Sequence, residues 1–87
     1  MELSELKQYL KVDTDEDDNL LISFIKAAEE YMANTGIEKD YSRELYKIGI
    51  MLLISHWYEN RSPVLLGSIS KELEFSLNSI IIQLRFS

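Results

Sequence analysis

The chain has 87 residues, with nine Lys and Arg against fifteen Asp and Glu for a net charge of -6, and 46% of it is hydrophobic. That length is one domain, spanning 1–87, whose small core can still fold without staples, so two-domain catalytic architectures are excluded. The acidic balance argues against sequence-specific nucleic-acid binding, which needs a basic patch, and the absence of Cys removes a disulfide framework, a thiolate zinc site and a cysteine nucleophile.

The opening MELSELKQYL carries neither a basic n-region nor a long apolar stretch. The longest apolar-rich run, Ile48 to Tyr58, falls short of the roughly 20 residues that span a bilayer. A soluble, unexported protein with no membrane partner is expected. Ser4 is placed to cap a first helix over Glu5 to Leu10, with Leu3, Leu6 and Leu10 on one face. The acidic stretch Asp13 to Asp18 contains Thr14-x-x-Asp17, the pattern of a capping box, and predicts the start of a second helix.

In that helix Leu20, Leu21, Phe24, Ile25, Ala28, Tyr31 and Met32 fall within an arc of roughly 140°, while Lys26, Glu29 and Glu30 lie outside it. Asn34-Thr35-Gly36 supplies the stop, with Gly able to take the left-handed position. Ser42 or Asp40 opens a third helix whose interior, Leu45 to Tyr58, is apolar all round, predicting a central helix covered on several sides. Ser62-Pro63 ends it.

Val64 to Glu72 lacks periodicity and reads as an irregular loop that exposes Val64, Leu65 and Leu66, a candidate binding segment. The last element, Phe75 to Arg85, reads as a helix with two opposed stripes, although the β-branched Ile80-Ile81-Ile82 would also suit a strand. Leu77, Ile80, Ile81 and Leu84 suit a core; Phe75, Ile82 and Phe86 suit contact with another subunit or protein. The expected fold class is therefore all-α, a small bundle of four helices around an apolar third helix.

Candidate chemistry dissolves on inspection. Asp13, Asp15 and Asp17 match the first alternating ligands of an EF-hand loop, but its sixth position is Asp18 where Gly is required and its twelfth is Phe24. His56 and Ser55 project about 100° apart on a helix, so they form no local nucleophile-base pair, and a single His without Cys is a poor zinc site. Glu29 and Glu30 are adjacent on a solvated face, the wrong geometry for two converging carboxylates. Gly36, Gly49 and Gly67 are too scattered for a phosphate loop. Tyr46, Trp57 and Tyr58 suit a core better than a platform for bases, and Gly49 in mid-helix suggests close helix packing. No enzyme constellation survives, and no metal or cofactor is expected.

Several strings carry a family resemblance. Leu3-Ser4-Glu5-Leu6-Lys7-Gln8-Tyr9-Leu10-Lys11-Val12-Asp13, the acidic turn, and Leu20 through Tyr31 resemble the N-terminal half of phage head-tail connector proteins, also called adaptor or head-completion proteins. Ile50 through Arg61 resembles the family's most recognisable segment, an apolar helix closing on the signature His56, Trp57, Tyr58, Glu59, Asn60, Arg61. Phe75 through Arg85 is similar to the closing helix, although the Pro that often precedes it is replaced by Leu73-Glu74. The resemblance runs in order over nearly the whole chain.

It implies a structural virion protein, assembled in the host bacterial cytoplasm. The subunit would form a homo-oligomeric ring under the portal protein, extend the DNA channel, and receive a downstream connector, stopper or tail protein. DNA would pass only as cargo, and an acidic wall that does not attract phosphate suits such a conduit. The competing reading is a helical protein-protein adaptor or antitoxin-like regulator. A ring needs a head-to-tail contact, whereas an adaptor would be a monomer or an isologous dimer.

Overall fold

A computed structural model of the chain describes residues 1–59 and 71–86. Four helices carry the fold: α1 (Leu3–Leu10), α2 (Asp18–Asn34), α3 (Glu44–Glu59) and α4 (Lys71–Phe86). Among the described residues there is no strand. The all-α bundle is the architecture that the periodicity predicts. The Ser62-Pro63 stop, the signature residues Asn60 and Arg61, and the candidate binding residues Val64, Leu65 and Leu66 lie outside the described residues.

The central helix is α3, which packs against α1, α2 and α4. Its Tyr46, Ile50, Leu53, Ile54 and Trp57 join Leu6 of α1, Leu21, Phe24, Ile25, Ala28 and Met32 of α2, and Leu77, Ile81 and Leu84 of α4 in one core. Gly49 lies where α3 meets both α2 and α4. A Cβ built there would stand 3.1 Å from Met32 Cε, 3.6 Å from Ile80 Cγ2 and 3.7 Å from Leu77 Cδ1, so the missing side chain lets α2 and α4 approach α3 together.

The helix ends follow backbone chemistry more than the capping side chains named above. The first helix begins at Leu3, so Ser4 lies inside it, and Glu2 occupies the capping position without a side-chain cap bond. Starting early brings Leu3 onto the core beside Leu6 and Leu10. At its other end Lys11 takes the left-handed conformation (φ 59°), and Lys11 and Val12 donate backbone N–H groups to the Gln8 and Lys7 carbonyls.

The Thr14-x-x-Asp17 capping box does not form. Asp17 sits at the capping position of α2 with no side-chain cap bond, because its Oδ2 accepts the Tyr58 hydroxyl at 2.8 Å and is drawn toward α3. The end of α2 is as expected: Gly36 is left-handed (φ 90°), and Gly36 and Ile37 donate to the Ala33 and Met32 carbonyls. Ile37 is then buried against the same core as Met32, the apolar contact that accompanies this type of stop. Asp40 Oδ1 accepts the Ser42 backbone N–H at 3.1 Å in the turn leading to α3.

The last helix starts at Lys71, four residues before the expected Phe75, so Lys71 and Glu72 are helical and not part of an irregular loop. Lys, Glu and Leu are strong helix formers, Glu72 and Glu74 complement the positive end of the helix, and Leu73 extends the core stripe by one turn. The Arg43 guanidinium donates to the Leu84 carbonyl at 3.3 Å, tying the end of α4 to the start of α3.

Candidate protein interface

The signature segment divides between core and surface. Trp57 is buried, its ring centroid 6.0 Å from that of Phe24 at a 47° tilt, whereas His56 and Tyr58 are partly buried and Glu59 is exposed. Tyr58 links α3 to the start of α2 through Asp17. Trp57 and Tyr58 thus lock the end of α3 onto α2, a packing role. The Trp57 indole nitrogen and the Tyr46 hydroxyl are buried with no hydrogen-bond partner, so both aromatics contribute through their ring bodies and not their polar tips.

The acidic segment is tied down by its surroundings. Lys7 Nζ lies 3.0 Å from Asp15 Oδ1 and 2.9 Å from Asp18 Oδ1, and these bonds raise the Lys7 pKa. Among the described residues no group of three His, Cys, Asp or Glu side chains is gathered for a metal ion. Glu29 is not on a solvated face: it is partly buried and accepts the Tyr41 hydroxyl at 2.5 Å, because Tyr41 folds back over α2. Burial raises the Tyr41 pKa, with the Glu29 bond adding to it. Tyr46, which meets Tyr41 edge-on at 5.1 Å, is pushed up to about 12 by burial and the Glu29 charge. Each of these charges supports the fold.

What remains is apolar surface. Phe75, Ile82 and Phe86 are 81%, 57% and 82% exposed, while Leu77, Ile81 and Leu84 on the other side of α4 are buried and Ile80 is partly buried. At 100° per residue the three exposed side chains share an arc of roughly 40° and run along nearly the full helix. They form a ridge on the order of 400 Å², as much apolar surface as a monomer ordinarily carries in one patch.

A second apolar area was not foreseen. The all-round apolar pattern of α3 predicts cover on several sides, which α1, α2 and α4 supply, but on the remaining side Ile48 is 44% exposed and Met51 and Leu52 are only partly buried. The signal was available on the helix wheel, where Glu44, Ser55 and Glu59 lie within about 40° of Ile48 and mark a solvent side. No helix among the described residues is long and apolar enough to cross a membrane.

Comparison with curated proteins and with solved structures returned no match. A family comparison did: the profile of the phage gp6-like head-tail connector proteins matches residues 1–85. The match spans α1, α2, α3, the signature segment and α4 up to Arg85, with Phe75 and Ile82 of the ridge inside it and Phe86 just beyond. The chain belongs to this phage head-tail connector family, whose members are structural components of the virion and not enzymes.

Proposed function

We propose that this chain is a ring-forming connector subunit that docks under the portal, extends the DNA channel and receives the next connector, stopper or tail protein. The observation that carries the reading is the α4 ridge. A member of a structural family keeps three large apolar side chains in water along one helix, and burying them in an assembly is favourable. Phe75, Ile82 and Phe86 are assigned to contact between subunits, with the portal-facing surface elsewhere on the molecule. The net charge of -6 suits a wall past which DNA slides without being held.

Electron microscopy of the protein mixed with the portal from the same phage or prophage tests this directly. Added ring density coaxial with the portal is expected. Portal particles indistinguishable from those without the protein, under conditions where it is folded and in excess, would refute it.

A further inference from the structure

A ridge on identical subunits meets either the same ridge on a partner or some other surface. Only the second arrangement leaves each copy with a free donor and a free acceptor and so propagates until a ring closes. The outer face of α3 is built to be that acceptor. Ile48 and Leu52 give it an apolar centre, with the small Ser55 on the same side of the helix.

Charge decides the match. The α3 face ends in Glu44 and Glu59, both exposed and 15 residues apart, about 22 Å along the helix. The α4 ridge ends in Lys71 and Arg85, both exposed and 14 residues apart, about 21 Å. On the helix wheel Lys71 lies about 40° from Phe75, Glu72 about 60° to the other side and Glu74 about 100° away, while Arg85, about 80° away, is the lone charge of the last turn. The ion pairs among the described residues join Lys7 to Asp15 and Asp18 and Lys47 to Glu5, so they engage none of the four terminal charges. Ridge and face thus have similar lengths and apolar centres, and Lys71 and Arg85 of the ridge are opposite in sign to Glu44 and Glu59 of the face.

We propose that the Ile48–Leu52 face of α3 receives the α4 ridge of a second copy of this chain, with Lys71 and Arg85 of one copy set against Glu44 and Glu59 of the next. The inference rests on the reading of the ridge as a subunit contact and supplies its other half. The apolar centre provides the affinity; the pairing of Lys71 and Arg85 with Glu44 and Glu59 fixes the register.

Because the chain has no Cys, single introduced thiols report which surfaces meet. Ser55→Cys marks the α3 face, Ser79→Cys marks the ridge, and Ser23→Cys on exposed α2 serves as the control. Mixed in pairs and oxidised in the presence of the portal, the Ser55→Cys and Ser79→Cys chains should cross-link to each other several-fold more than either does to itself or to the control. Glu44→Lys with Glu59→Lys should weaken self-association about tenfold, and adding Lys71→Glu and Arg85→Glu to the same chain should restore it. Dominant Ser79→Cys self-cross-links, or charge reversals with no effect, would overturn the α3 acceptor while leaving a subunit ring intact. A wild-type chain that stays monomeric both alone and with the portal would overturn the ring reading itself.

Discussion

Replacing Ile82 and Phe86 together by Asp separates assembly from folding. The two side chains are 57% and 82% exposed, so the isolated subunit has little apolar burial to lose. Full burial of a large apolar side chain contributes roughly 1.5–3 kcal/mol, and scaling by the exposed fractions gives about 2–4 kcal/mol lost from each subunit contact, or roughly 30- to 1,000-fold in affinity. The subunit itself loses far less. Two carboxylates in the last turns of α4 oppose the helix dipole by about 0.3–1 kcal/mol each, a fall in Tm of several degrees for a domain of this size. Sedimentation velocity across a concentration series, with thermal unfolding monitored by circular dichroism, measures both quantities. Association unchanged beside a collapsed Tm would show that the ridge belongs to the subunit's own core and refute the reasoning.

Other perturbations address the fold that presents these surfaces. Tyr58→Phe removes the 2.8 Å bond to Asp17 and should cost about 1 kcal/mol in urea unfolding, with faster hydrogen exchange at the start of α2; identical exchange would show that the bond does not anchor that turn. Gly49→Leu places a branched side chain where a single Cβ already stands 3.1 Å from Met32 Cε, and should destabilise by about 1–3 kcal/mol or more; an unchanged Tm would contradict the close crossing. Tyr46 and Tyr41 have raised pKa values in the folded chain, so their contribution is complete below the ordinary tyrosine value near 10 and is lost as pH climbs toward the folded values. Stability should therefore fall between pH 10 and 12, by on the order of 1 kcal/mol per pH unit for Tyr46 alone, and tyrosinate absorbance should lag that of the unfolded chain; coincident titrations would contradict the burial.

The parts of this structure legible in the sequence are those governed by helical periodicity. The buried arc of α2 and the opposed stripes of α4 follow from spacings of three, four and seven, and burial follows the wheel at Leu21, Phe24, Ile25, Ala28 and Met32. Gly36 was readable because a left-handed stop favours glycine, whereas Lys11 adopts the same conformation without any such residue signal. The cap at the start of α2 fails for a long-range reason. Asp17 has the right residue type and position, but Tyr58, 41 residues later, claims its carboxylate. Glu29 likewise reads as solvated on its own helix, because Tyr41 reaches it from outside that helix. In α3 hydrophobicity alone hid the direction of exposure, which the sparse polar residues Glu44, Ser55 and Glu59 would have revealed.

The central claim is that this connector acts as a closed ring of identical subunits. Native mass spectrometry of the assembly released from purified portal complexes measures it most directly. A single species whose mass is an integral multiple of the 10.2 kDa chain, with more than two copies, is the predicted result. Release of only monomers or dimers from complexes that retain the protein would contradict the account.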